Sequence, residues 1–224
     1  MYVQPYFPEQ IEIKGNIASE PYDVRLGFIR RTVALHTLTV LLVAAVAWFV
    51  PSPLSMRTAL ATFFAILVSL SIIRLISHRG RVDIIFSGIL LPALLVILGW
   101  VLRLAFDVGW PSWCLGFAVL GGALYTLVCG RDFSFVGQYF IAAIIALVGI
   151  AVVAWLLRPG GLVLANAAVF TLAFLGYYVY DLAALLTRRK KGEELGAVTD
   201  LYRDVLNGFT YIGRVVQHWR RFRI

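Results

Sequence analysis

The stretch VTDLYRDVLNGFTYIG, residues 198–213, places charged and polar side chains at helical spacing near the end of a chain that is otherwise strongly apolar. Helical residues three or four positions apart lie on the same face. From Asp200 onward, alternating steps of this size give one polar stripe: Asp200, Asp204, Asn207, Tyr211, Arg214 and His218. The segment is therefore predicted to be a helix with a single polar face.

The rest of the chain has the composition of a membrane protein. Of its 224 residues, 61% are hydrophobic and only 14% are charged, whereas about 25% are charged in soluble domains. Long uncharged runs recur, most of them near the roughly 20 residues that a helix needs to cross a bilayer. These runs cover 32–50, 58–73, 84–102, 108–130, 133–157 and 159–180. They predict an all-α protein with six apolar transmembrane helices.

The polar last segment is expected to be enclosed by these six helices. A charged side chain at the centre of a bilayer costs roughly 2.5 to 3.5 kcal/mol, so several of them are not expected to face lipid. Residues 195–219 would form about 37 Å of helix, enough for a seventh crossing. A re-entrant segment is the alternative, because a full crossing places the basic C-terminus on the outer side. We predict a seven-helix domain, residues 25–224, with a polar central C-terminal helix, preceded by a polar tail, residues 1–24.

The basic residues follow the positive-inside rule. The net charge is +8, but no basic segment interleaved with aromatic residues lies outside the membrane pattern, so nucleic acid is not an expected partner. Arginine and lysine instead gather before the first run, after the second and after the sixth, where Arg188, Arg189, Lys190 and Lys191 follow one another. This distribution predicts a cytoplasmic N-terminus.

Asp181 is the predicted partner of Asp204. Asp181 lies about 10 Å along its helix from Arg188, and Asp204 lies at a similar depth if the last helix begins near Leu195. Helices joined by a short loop pack as antiparallel neighbours, so the two carboxyl groups can face each other. For Asp200, a helix cap or an interfacial charge is the simpler interpretation. Arg203 or Arg214 can also neutralise the aspartates as helical neighbours.

Four segments resemble those of the Bax inhibitor-1 family, the transmembrane Bax inhibitor motif proteins, in the same order. They are GFIRRT at 27–32, RDFSFVGQYFIAAIIALVGI at 131–150, LGYYVYDL at 175–182 and LYRDVLNGF at 201–209. The resemblance runs from about residue 24 to the end. It implies two groups of three helices around a central C-terminal helix, in agreement with the separate argument that the polar segment is enclosed.

The resemblance also implies a pH-sensitive calcium leak whose sensor is a pair of aspartates on the last two helices, matched here by Asp181 and Asp204. It further implies an arginine latch near the end of the second helix, for which Arg74 and Arg79 are both candidates. The chain departs from common members in having no acidic residue inside the second span and in carrying Arg203 where an apolar residue is usual. These departures bear on ion selectivity and conductance.

Chemistry supports a gate of this kind. Two carboxylates about 4 Å apart repel by roughly 4 kcal/mol at an effective dielectric constant near 20, so they titrate as a pair. Calcium prefers oxygen ligands, which makes Asp181 and Asp204 the predicted transient ligands of a passing ion. The expected partners are the lipid bilayer, calcium ions and protons, and no bound cofactor is expected.

Two other functional classes remain to be compared with a channel. A non-conducting regulator would use its polar core only for packing and would bind another membrane protein, such as a protease or an apoptosis regulator. An enzyme is not predicted, because H-E-x-x-H and G-x-S-x-G motifs are absent and the three histidines lie on distant segments. The short tail and the lack of a sorting signal favour a bacterial plasma membrane.

Overall fold

The computed structural model describes residues 13–76, 81–130, 132 and 138–204. Within these ranges the chain is helical and has no β-strand. The α-helices are α1 (Tyr22–Phe49), α2 (Met56–Ile76), α3 (Arg81–Asp107), α4 (Cys114–Cys129), α5 (Gln138–Leu157) and α6 (Gly161–Arg188). Residues 194–204 are also helical and are called the last helix here. A short 3₁₀ helix, Ile17–Ser19, precedes α1.

All six predicted apolar runs form helices, and five of these helices are long and apolar enough to cross a membrane. The protein is therefore an all-helical membrane protein. The exception is α4, whose 16 residues make about 24 Å of helix. The fourth run begins at residue 108, but its first residues form a turn in which Gly109 has a φ of 89°. Pro111 also lies in this segment, three residues before the first residue of α4.

The helices pack in two groups of three that are joined through α1. In one group α3 contacts both α1 and α2, and in the other α4, α5 and α6 contact one another, while α1 also packs against α4. Each group has its own core of buried apolar side chains. The last helix contributes Ala197 and Leu201 to the α4–α6 core. It contributes Val198 and Tyr202 to the α2–α3 core.

The described part of the last helix therefore lies between the two groups. Its residues from Gly196 to Asp204 are all buried. The remaining residues of the predicted stripe lie outside the described residues: Asn207, Tyr211, Arg214 and His218. The complete seventh crossing and the central position of the whole C-terminal helix stay predictions.

Part of the polar N-terminal segment is folded onto the end of α6. The backbone N–H groups of Ile13 and Ile17 donate to the carbonyl oxygens of Thr187 and Arg189, at 3.3 and 3.0 Å. The last carbonyls of a helix have no partner within it, so these bonds complete the hydrogen bonding of α6. Ile17 is also fully buried in the α4–α6 core. These contacts hold the end of α6, which carries residues of the candidate site described below, in place.

Gly121 permits the close packing of α4 on α5. A Cβ atom at this position would lie 2.6 Å from the carbonyl oxygen of Ala142. At Gly116 of the same helix, an added Cβ would meet no atom within 4 Å. The two glycines therefore form a matched pair, one enclosed and one with open space beside it.

We expect Gly121→Ala to lower the free energy of unfolding by about 1–3 kcal/mol, because α4 and α5 must move apart. Gly116→Ala should leave stability unchanged or raise it by up to about 1 kcal/mol, since alanine is the better helix former. Thermal unfolding of the two purified variants in the same detergent measures the difference. Equal melting temperatures would contradict close packing at Gly121.

Candidate functional site

The structure brings Asp181 and Asp204 together, as the sequence predicted. Asp181 lies near the end of α6 and Asp204 on the last helix, and a short turn containing Gly192, with a φ of 89°, reverses the chain between them. Both side chains are buried. Their carboxyl groups are close enough to share a hydrogen bond. The two acids therefore form one buried pair, which we call the aspartate pair.

A hydrogen bond within this pair requires one proton, because an ionised carboxylate has no donor. Nη1 of Arg188 donates to Oδ2 of Asp204 at 2.6 Å, and both groups are buried. The guanidinium ion favours the charged form of the carboxyl that it contacts. Arg188 therefore compensates negative charge on the pair at Asp204, the member that it contacts directly.

Asp200 is the centre of a second group of charges. It is fully buried, and Arg74 and Arg189 approach its two oxygens at 2.6 and 2.7 Å. Arg203 also donates to Asp200. Asp200 is therefore more than the cap or interfacial charge expected from the sequence, because its buried carboxylate accepts bonds from three arginines. Arg203, one of the two arginines expected to neutralise it, contacts it, and Arg214 lies outside the described residues.

Asp83, in the first turn of α3, supplies the second carboxylate of this group. Arg203 Nη1 donates to it at 2.9 Å, and Arg189 Nη2 lies 3.4 Å from its other oxygen. Arg203 Nη1 also donates to the carbonyl of Leu70 in α2. Five side chains from four helices form this arginine–aspartate cluster: Arg74, Asp83, Arg189, Asp200 and Arg203. The cluster joins α2, α3 and α6 to the last helix.

Sequence reasoning missed Asp83, Arg188 and Arg189 as site residues. Arg188 and Arg189 begin a basic run of four that is typical of a solvated loop, yet both are buried. Asp83 stands at the edge of an apolar run, where a helix cap is the usual interpretation. The sequence did contain one signal for these residues. Asp83, Asp200 and Arg203 lie at helix ends predicted to face the same side of the membrane as Arg188 and Arg189, so acids and arginines could be expected to pair there.

Of the two latch candidates, the structure describes only Arg74. Arg74 binds Asp200, while Arg188 takes the position beside Asp204. Arg79 lies outside the described residues. The resemblance implied a latch on the aspartate pair, but the structure places the arginine of α2 in the arginine–aspartate cluster instead.

The aspartate pair does not by itself form a complete metal site. No group of three or more histidine, cysteine or acidic side chains placed to hold a metal ion occurs among residues 13–76, 81–130, 132 and 138–204. Calcium usually takes six to eight oxygen ligands. The described carboxylates can therefore contribute only part of the coordination of a passing ion.

Comparison with known proteins identifies the family. The model of the family described as "Inhibitor of apoptosis-promoting Bax1" matches residues 25–220. The Arabidopsis thaliana protein LIFEGUARD 3 is 27% identical over 89% of this chain and 87% of its own length. LIFEGUARD 2 of the same plant is 29% identical over 85% of this chain and 87% of its own length. No solved structure matches the chain. The matched family model spans α2 to α6, all but the first three residues of α1 and both aspartates of the pair, and the chain belongs to the Bax inhibitor-1 family of membrane proteins.

Proposed function

We propose that the protein is a pH-sensitive passive calcium leak whose gate is the aspartate pair. The observation that carries this proposal is the buried contact of Asp181 with Asp204 beside Arg188, at the junction of α6 and the last helix. Buried ionisable groups in membrane helices are costly, and they commonly mark ion or proton pathways. Calcium is the transported ion in this proposal, and Asp181 and Asp204 are its transient ligands.

The charges of the described state oppose the passage of a cation. With one proton on the aspartate pair, three ionised aspartates, Asp83, Asp200 and Asp204, face four arginines, Arg74, Arg188, Arg189 and Arg203. Glu193 lies at the edge, 3.8 Å from Arg189. Glu193 is partly exposed, so the buried groups keep one excess positive charge, which repels an approaching cation. We therefore assign the described arrangement to a closed state.

A change in the protonation of the aspartate pair can open this state in two ways. Loss of the shared proton leaves two adjacent carboxylates that repel each other, and only Arg188 compensates them directly. Addition of a second proton neutralises Asp204 and leaves Arg188 buried without its ion pair, which is also costly. Asp200 and Tyr177 also lie near Asp181. On the side of α1, His36 contacts Tyr178, one helical turn before Asp181. Closure should therefore be favoured at intermediate pH, with calcium flux rising on either side.

The test is calcium flux into vesicles reconstituted with the purified protein, measured across a pH series. We expect Asp181→Asn and Asp204→Asn to abolish the pH dependence, because an amide cannot take part in the shared titration. Asp107→Asn is the matched control, since Asp107 is an exposed acid that pairs with Arg103 at 3.0 Å. It should leave the profile unchanged. Unaltered profiles in both pair variants would show that these aspartates are not the gate.

A non-conducting regulator is the second candidate function. The arginine–aspartate cluster favours it, because a charged network that joins four helices also suits a purely structural role. The family description, which refers to inhibition of apoptosis-promoting Bax1, accords with a regulatory role through another membrane protein. Purified protein that gives no calcium flux above empty vesicles at any pH would favour this function.

We also propose that the end of the molecule bearing the α6 turn faces the cytoplasm. Arg31 of α1 pairs with Glu194 at 2.8 Å, which places the start of α1 and the start of the last helix at the same end. The basic residues in the first turns of α1 and those after α6 therefore lie together, as the positive-inside rule requires of a cytoplasmic face. LIFEGUARD 2 and LIFEGUARD 3 are plant proteins, so the bacterial plasma membrane stays a prediction. Protease accessibility of a tag at the N-terminus in sealed vesicles would test the orientation.

A further inference from the structure

A buried hydrogen-bonded network lies next to the aspartate pair and is not explained by the charges described above. Nδ1 of His36 lies 3.1 Å from the hydroxyl of Tyr178. The hydroxyl of Thr39 lies 2.7 Å from that of Tyr202 and donates to the carbonyl oxygen of His36 at 2.7 Å. The His36 ring packs against both tyrosine rings, with centroid distances of 5.2 Å. We call these four residues the tyrosine–histidine network.

The network attaches both gate helices to α1. Tyr178 precedes Asp181 by three residues, about one helical turn, on α6. Tyr202 precedes Asp204 by two residues on the last helix. His36 and Thr39, both on α1, bind one tyrosine each. Each aspartate of the pair is thus close in sequence to a tyrosine that is held by α1.

Tyr178 has little freedom to change its position. A Cβ atom added to Gly122 of α4 would lie 2.7 Å from Cε1 of Tyr178, so the ring packs directly on the backbone of that helix. His36, Tyr178 and Tyr202 are all buried. A buried hydroxyl without a partner is costly, which favours the one arrangement in which all these groups are paired. The network therefore selects one relative position of α6 and the last helix.

Resting on the proposed gate, we propose that Thr39, His36, Tyr178 and Tyr202 are positioning residues that hold Asp181 and Asp204 in the register at which they share a proton. They act through the helices and do not touch the transported ion in this mechanism. Among the charged groups around the pair, Arg188 favours its ionisation and Asp200 opposes it. The tyrosine–histidine network determines whether Asp181 and Asp204 meet.

The test uses variants that remove one hydroxyl with little change of shape. Tyr202→Phe and Thr39→Val each remove the contact between α1 and the last helix, whereas Thr39→Ser retains it. We expect each of the first two variants to raise calcium flux at the pH of the wild-type minimum by about fivefold, which corresponds to one lost hydrogen bond. Flux at the pH extremes should stay unchanged. Thr39→Ser should behave as wild type, and the double variant should show less than the product of the two single effects.

A second measurement does not depend on conduction. Infrared spectra without calcium should contain a protonated-carboxyl band that disappears in Asp181→Asn. At the pH of the wild-type flux minimum, or at neutral pH if there is no flux, this band should weaken in Tyr202→Phe and stay intact in Thr39→Ser. Tyr178→Phe repeats the test on α6 if Tyr202→Phe does not fold.

The two readouts separate this inference from the channel proposal. A weakened band in Tyr202→Phe, in a protein that conducts no calcium, would support positioning and overturn the channel. A pH-dependent flux in the wild type, with both flux and band unchanged in Tyr202→Phe and Thr39→Val, would support the channel and overturn positioning. Additive effects of the two substitutions would also contradict a direct contact between them.

Discussion

Asp200→Asn is expected to destabilise the protein by about 3–5 kcal/mol, the usual cost of removing one partner from a buried ion pair. Asparagine keeps the size of the side chain but not its charge. Its substitution would leave Arg74, Arg189 and Arg203 around a single buried carboxylate, that of Asp83. Thermal or denaturant unfolding of the purified protein in detergent measures the loss.

The matched control is Asp107→Asn, which removes an acid from an exposed pair. Asp107 is about half exposed, with a side-chain accessibility of 48%, so its loss should cost no more than about 1 kcal/mol. Adding Arg74→Met to Asp200→Asn should recover part of the stability, because one uncompensated cation is removed. A melting temperature of Asp200→Asn equal to that of the control would show that the three arginines do not depend on Asp200.

The helices were predictable because the thickness of the bilayer sets the length of a span and its hydrocarbon core excludes charged residues. Both properties can be seen in a local segment of the sequence. Most of the uncharged runs had about the length of a membrane span, and each of the six contains a helix. The local start of α4 was not predictable in the same way. Residues 108–113 are uncharged, so the absence of charge does not separate them from the helix that follows, and their turn depends on backbone geometry at Gly109.

The candidate site was only partly predictable, for a different reason. Asp181 and Asp204 were found because each interrupts or follows an apolar pattern at helical spacing. Arg188 and Arg189 belong to a sequence that is typical of a loop, and their burial depends on contacts with residues far away in the chain. Arg189 meets Asp83, which lies 106 positions earlier. A pattern within one helix contains no information about such a pairing.

The two groups of charges have distinct physical roles in the proposed mechanism. The arginine–aspartate cluster joins four helices through pairs in which both partners are ionised. The aspartate pair contains two acids and one adjacent arginine, so its net charge changes with pH. Arg188 is the residue at which these roles meet, because it adjoins Arg189 of the cluster in sequence and binds Asp204 of the pair.

Arg188→Gln should therefore remove the acidic arm of the flux profile. In the wild type, protonation of Asp204 leaves the Arg188 guanidinium buried without its carboxylate, and closure becomes unfavourable. In the glutamine variant no cation is left behind, so a fully protonated pair is tolerated in the closed state. Flux should stay low as the pH falls, while the rise at alkaline pH, caused by repulsion between the two carboxylates, should persist. Reconstituted vesicles assayed across the pH series would show both arms.

Arg188→Lys is the matched control because it retains the positive charge, and it should keep an acidic rise in flux. Stability provides a readout that does not require conduction. The glutamine variant lacks the ion pair between Arg188 and Asp204, so its melting temperature at neutral pH should be lower than that of the wild type. If acid activates the glutamine and lysine variants equally, the acidic response does not arise at Arg188, and the opening must begin elsewhere in the bundle.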